Sequence, residues 1–238
     1  MTTGVQRVCA LSGPLFAASL FVGMIMAGLF PPKPPSWSAQ QVAEFWSTDA
    51  DLKRAGLVII MIGSGLLIPF GAILAVRLKK IEGASSPFTY VMLISTGISS
   101  VAILLPVFMF AVAAYRPDQR SPELTQAFND AGWLPFVMNW PAVTGMALAI
   151  AFAILGDRSR TPLWPRWAAD YNLWTGFLFA AGGFAIFFKH GVFAWNGLLA
   201  YWMAAVVFGV WFVVLAYLLW TTTGAHATSD DDTAVAAR

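Results

Sequence analysis

The chain has 238 residues, 58% of them hydrophobic and 11% charged, with a formal net charge of +2. So thin a basic excess, with no run of bases, excludes a nucleic-acid-binding face, and a single cysteine, Cys9, excludes an internal disulfide. No polar segment exceeds about 25 residues, which is too short to enclose a core, so no soluble domain is expected.

Six long apolar stretches follow in chain order: Val8–Phe30, Gly56–Val76, Phe88–Ala114, Leu134–Leu155, Asn172–Phe188 and Trp195–Trp220. Each is close to the roughly 20 residues that cross about 30 Å of hydrocarbon. None carries a charge in its interior. Only helices and closed barrels satisfy backbone polar groups in lipid, and a barrel would show short alternating segments in place of these continuous runs. The expected fold is an all-α integral membrane protein. It comprises a six-transmembrane-helix bundle over residues 1–220, with two short interfacial helices in the outer loops and a disordered acidic tail over 221–238.

The first stretch follows Arg7 as a signal peptide would, but it is too long and lacks an Ala-x-Ala end, so it is read as a span. Loop one opens a short helix at Ser38, with Gln41 completing a capping box. In loop three Ser121 and Pro122 open another, and Phe45 and Phe128 share the same offset from their serines. Spans one–two and three–four could therefore be two copies of one hairpin unit, or two independent hairpins with similar loops. Within the third span Thr89, Ser95, Thr96, Ser99 and Ser100 are expected to bond mainly to their own helix. In the fourth, Pro141 frees the carbonyl of Val137 and kinks the helix just below Asn139 and Trp140. The fifth is short, and its Gly176, Ala180 and Gly183 suit close helix packing.

With six spans both termini share one side. That side carries eight bases against six, clustered in loops two and four, so both termini are expected in the cytoplasm. Trp37, Trp46, Trp133, Trp164, Trp167, Trp174, Trp195 and Trp220 fall near span ends and read as interfacial anchors.

The segments Arg116-Pro-Asp, Ser121-Pro-Glu-Leu-Thr, Pro165-Arg-Trp and Phe187-Phe-Lys-His-Gly-Val-Phe-Ala-Trp-Asn-Gly-Leu-Leu resemble a group of bacterial polytopic inner-membrane proteins with six spans. The resemblance covers most of the chain. It implies the fold and a bacterial inner membrane, and it carries no activity.

Chemistry is narrowed mostly by what is missing. No ionisable group sits at bilayer depth, which counts against a proton relay or a voltage sensor. Two histidines and no paired cysteines leave no metal or haem site within one chain, so neither a metal nor a cofactor is expected. Polar residues gather near the outer face. Arg116, Arg120, Asn139, Trp140, Lys189, Trp195 and Asn196 are the expected ligand-binding set, lining one outward-facing pocket between the third to sixth spans.

The leading reading is a non-catalytic membrane protein that binds a hydrophobic or amphipathic small molecule, or an accessory subunit of a membrane complex. Its partners are the lipid bilayer and partner subunits or further copies of itself. A second reading is a lipid- or isoprenoid-modifying enzyme using Asp118, Glu123 and Asp130 with His190 as acid or base. A third is a carrier not coupled to protons.

Overall fold

The first helix, α1 (Thr3–Met26), ends where Gly28 adopts a left-handed φ of 68°. The N–H of Leu29 then donates back to Met24 O at 2.8 Å and that of Gly28 to Ile25 O at 3.0 Å. This closes the helix end in the manner that a glycine permits. The computed structural model describes residues 3–236, with side chains from 3 to 222. After α1 come α2 (Ala39–Ser47), α3 (Ala50–Ser64), α4 (Leu67–Glu82) and α5 (Pro87–Tyr115). A short 3-10 turn at Pro117–Gln119 leads into α6 (Pro122–Met138), α7 (Trp140–Gly156) and α8 (Arg166–Phe179). A 3-10 stretch at Ala180–Phe187, a π-helical turn at Leu198–Trp202 and α9 (Met203–Ala236) complete the order. Among the described residues there is no strand.

Five helical stretches are long and apolar enough to cross a membrane: Thr3–Met26, Ala50–Glu82, Pro87–Tyr115, Pro122–Gly156 and Leu198–Thr222. The chain is thus a multi-pass helical protein by length and composition. The fifth expected span differs from the regular helix read over Asn172–Phe188. Its α-helix stops at Phe179, and eight residues of 3-10 helix follow. Residues 223–238 of the expected acidic tail lie outside the described side chains.

Small residues set the closest approach in the bundle. A Cβ on Gly23 would lie 2.6 Å from Gly56 O, and one on Gly56 would lie 2.5 Å from Gly23 O. The backbones of α1 and α3 therefore touch, as spans do where lipid supplies no hydrophobic drive and packing must hold them. Ser38 accepts from Gln41 N at 3.3 Å while Gln41 Oε1 accepts from Ser38 N at 2.9 Å, so the capping box forms as read. Ser121 likewise accepts from Leu124 N at 3.3 Å. The short α2 buries Val42 and Trp46 against α6.

The tryptophans divide. Trp167, Trp174 and Trp220 are exposed, as anchors would be. Trp46, Trp133, Trp164 and Trp195 are buried, and three of them are tied by their indole N–H. Trp46 donates to Asn129 Oδ1 at 3.2 Å, Trp164 to Leu218 O at 3.1 Å and Trp195 to Lys33 O at 2.8 Å. Trp211, an interior residue of the last helix, donates to Asn172 Oδ1 at 2.8 Å. Membrane-end indoles thus serve as internal ties, because a buried N–H needs an acceptor and the ring fills space around it.

Candidate functional site

Two spans are interrupted, and each interruption has a proline just beyond it. Between α3 and α4, Pro69 offers no N–H and the turn tightens: Ile68 N bonds Gly65 O at 3.2 Å. That leaves Ser64 O to the Ser100 hydroxyl of α5, which donates at 3.1 Å. Ser100 therefore ties two helices, contrary to the expectation that this hydroxyl line bonds back to its own helix. Thr96 does follow that expectation, donating to Met92 O at 2.9 Å. Between α6 and α7, Asn139 sits alone at φ −72° and ψ 17°, and its side chain makes no capping hydrogen bond. Pro141, two residues on, removes the donor for Val137 O. That carbonyl faces Gly182 of the 3-10 stretch so closely that a Cβ there would collide with it.

At this second interruption lies a half-open cavity of about 90 Å³. Its walls are Leu20, Phe21 and Met24 of α1, Ile103 of α5, Phe136 and Val137 of α6, Val143 of α7, Phe179 of α8, and Ala204 and Phe208 of α9. Asn139, Trp140 and Tyr201 also line it. Tyr201 is 4% exposed, and its hydroxyl has no hydrogen-bond partner. Tyr201 is held by aromatic neighbours: its ring centroid lies 6.0 Å from that of Trp133 and 5.5 Å from that of Trp202. A buried, unpaired hydroxyl is costly in a packed interior, and such groups concentrate where a ligand or an ordered water completes them. No charged residue touches this cavity.

Of the seven expected ligand-binding residues, the structure brings Asn139 and Trp140 to the cavity, and Arg116, Arg120, Lys189, Trp195 and Asn196 do not line it. Trp195 stacks on Trp133 at 6.2 Å, one ring away from Tyr201. Arg116 is exposed, with its guanidinium 5.1 Å from the Tyr115 ring centroid, and pairs with no carboxylate of loop three. Arg120 donates to Val112 O, and Arg54 Nε donates to Ala114 O at 3.0 Å, so two arginines satisfy the last carbonyls of α5. Lys189 is exposed and within Coulombic reach of Asp130, and Asn196 is half-buried.

The carboxylates expected for catalysis do not converge with His190. Asp118, Glu123 and His190 are exposed, and no hydrogen bond or ion pair joins them among the described residues. Asp130 is half-buried and accepts from Asn129 Nδ2 at 3.3 Å. Asn129 in turn holds the Trp46 indole, which makes this a structural chain from α2 to α6.

A shallower recess of about 530 Å³ lies at the opposite end, lined by Lys80, Asp157, Arg158, Ser159 and Thr161. It sits at the C-terminal ends of α4 and α7, where bases answer the helix dipoles. The Asp157 carboxylate there is already engaged by Ser159 N at 3.0 Å and Leu163 N at 3.1 Å.

Sequence reasoning missed Tyr201 and the α1 wall. Tyr201 carried a usable signal, as a hydroxyl-bearing side chain six residues into an apolar run. Leu20, Phe21 and Met24 carried none, since an apolar residue in a span reads the same whether it faces lipid or protein. No protein-family model, curated protein or solved structure matches the chain.

Proposed function

We propose that this is a non-catalytic integral membrane protein of a bacterial inner membrane that binds a hydrophobic or amphipathic small molecule in the cavity at the α6–α7 interruption. The carrying observation is that cavity. It has apolar walls from six helices, a few uncharged polar residues, and an interrupted backbone beside it. Irregular backbone at membrane depth is tolerated where it is buried in protein or lines a cavity, and small-molecule sites combine apolar walls with a few polar groups.

Six crossings fit this reading. The 14 residues of α8 span about 21 Å at about 1.5 Å per residue. The 8 residues of 3-10 helix add about 16 Å at about 2.0 Å each. Together they suffice for about 30 Å of hydrocarbon. Both termini then face the cytoplasm, and α2 lies at the outer interface.

Binding is tested on protein in lipid nanodiscs titrated with 1-decanol. The melting temperature should rise for the natural chain and stay flat for Ala204→Trp, which fills the cavity, and for the milder Val143→Phe. An equal rise in all three, or none in any, overturns the reading. Orientation is tested in a Cys9→Ser background with single cysteines at four exposed positions. Gln40→Cys and Gln119→Cys should react with an impermeant thiol reagent on intact cells, and Ser85→Cys and Ser159→Cys should not; the reverse pattern refutes the topology.

A further inference from the structure

We infer that the open recess at the C-terminal ends of α4 and α7 binds the phosphate of an anionic phospholipid headgroup, and that Lys80 and Arg158 hold it. This site lies at the other end of the bundle from the cavity, and the inference does not rest on the cavity-binding reading.

The first observation is a surplus of unpaired positive charge. Lys80 and Arg158 line the recess from two different segments, the last turn of α4 and the loop after α7, and both are exposed. Lys79 and Arg160, also exposed, stand beside them in the sequence. Among the described residues the one ion pair joins Arg54 to Asp51, so none of these four bases is paired with a carboxylate. The two acids of the same segments are occupied elsewhere. Asp157 accepts from Ser159 N at 3.0 Å and Leu163 N at 3.1 Å. Glu82 accepts from Phe88 N at 2.9 Å, Thr89 N at 2.7 Å and the Thr89 hydroxyl at 2.6 Å. Both carboxylates shape their own loops and leave the bases unanswered. The partial charge at a helix C-terminus is only about half an elementary charge, so Lys79 and Lys80 together exceed what the end of α4 requires.

The second observation is the type of donor. A guanidinium presents paired N–H groups that match phosphate oxygens, and an ammonium adds a compact point charge. The exposed Thr161 lines the same recess and has a hydroxyl to donate. Because the recess is open, an anion enters it without the full desolvation cost of a buried charge.

The third observation favours a lipid over a soluble phosphate compound. The recess lies at the ends of two stretches long and apolar enough to cross a membrane, Ala50–Glu82 and Pro122–Gly156. Val76 stands one turn before Lys80 on the same face of α4, and Phe152 one turn before Gly156, which also lines the recess. Val76 is 41% and Phe152 44% exposed. Each helix thus carries an exposed apolar side chain leading from the recess back along the span, where acyl chains lie. Basic pockets between spans on the cytoplasmic side take anionic headgroups in this way, and this end faces the cytoplasm in the topology proposed above.

The test is native mass spectrometry of the full chain in dodecyl maltoside micelles, offered dioleoyl phosphatidylglycerol, dioleoyl phosphatidylcholine and dioleoylglycerol at equal concentration. Phosphatidylglycerol should be retained roughly tenfold better than dioleoylglycerol, as expected for two bases acting on one negative charge. Phosphatidylcholine, whose ammonium offsets its phosphate, should fall between them. Lys80→Gln combined with Arg158→Gln should bring phosphatidylglycerol to within about twofold of phosphatidylcholine, while Lys80→Arg with Arg158→Lys, which keeps the charge, should retain most of the preference. Inorganic phosphate in large excess should not displace the lipid, and Ala204→Trp, which fills the cavity, should leave the preference unchanged.

Equal retention of the three lipids, or a preference that survives the glutamine pair, overturns the assignment. Displacement by inorganic phosphate would make the recess a site for a soluble phosphate compound and would overturn the lipid. Loss of the preference in Ala204→Trp would move the lipid to the cavity and overturn the site. Unfolding of the glutamine pair would show the two bases to be structural and would refute their role as the binding groups.

Discussion

The two helix interruptions start from the same local chemistry and end differently. In each, a proline deprives a carbonyl of its donor a turn earlier. At Ser64–Leu66 the carbonyl that Pro69 deprives, that of Gly65, takes the Ile68 N–H, and the Ser64 carbonyl left over meets the Ser100 hydroxyl. At Asn139 the side chain caps nothing, the neighbouring segment is itself irregular, and a cavity lies beside the break. A proline kink alone therefore does not make a site. What distinguishes the second is the cavity beside it, which Asn139 and Trp140 help to line.

The largest effect should come from the glycines beside the two breaks. Gly182 packs on the Val137 carbonyl, so Gly182→Ala drives a methyl into backbone and should cost about 2 kcal/mol. Gly65 has an ordinary helical φ of −64°, and its nearest obstacle is 3.4 Å away. Gly65→Ala should be neutral or stabilise by up to about 1 kcal/mol through the unfolded state. Reversible unfolding in mixed micelles measures both, and equal losses would show that the breaks are not different in kind.

A smaller contrast separates the polar side chains. Ser100→Ala should cost about 0.6–1.7 kcal/mol, the range found for hydrogen bonds between spans. Asn139→Ala should stay within about 0.5 kcal/mol in the absence of ligand, because its side chain caps nothing. A loss at Asn139 as large as that at Ser100 would make it glue between helices.

The smallest effect is a control remote from both breaks. Burial pushes the Asp157 carboxyl up, but hydrogen bonds from Ser159 and Leu163 outweigh it and hold the group below its usual range. Its contribution is present above about pH 3.9, the unfolded value, and is lost as pH falls through the lower folded value. The melting temperature should therefore decline slightly in that acid window, and Asp157→Asn should remove this part of the decline. An unchanged pH profile in the variant would show that the loop does not depend on the charge.

How much of this was legible in the sequence follows from what each signal encodes. Ser38 with Gln41, and Ser121 with Pro122, announce helix starts because capping is local chemistry, and both form. Pro141 announces a break for the same reason. The end of α8 at Phe179 was not legible, since Ala180–Phe187 is as apolar as any span and its 3-10 winding comes from packing Gly182 and Gly183 on Val137 and Trp140. The burial of Trp46, Trp164 and Trp195 was hidden because the same residue type suits an interface or a protein interior. Of the cavity, Asn139 and Trp140 could be read because polar and proline signals mark them. Leu20, Ile103 and Phe208 could not, because in lipid the apolar face that locates a soluble core disappears into a uniformly apolar span.

The central claim is that the α6–α7 interruption holds a ligand and the α3–α4 interruption does not. It is tested most directly by illuminating the protein in nanodiscs containing a diazirine-bearing decyl ester and comparing crosslinks at the two breaks. Segments 136–143 and 200–208 should be labelled, this labelling should be abolished by Ala204→Trp, and labelling around 62–69 should be no higher than on the exposed α5 face at Ile94 and Ile98. Equal labelling of both breaks, or labelling at 136–143 that survives Ala204→Trp, would contradict it.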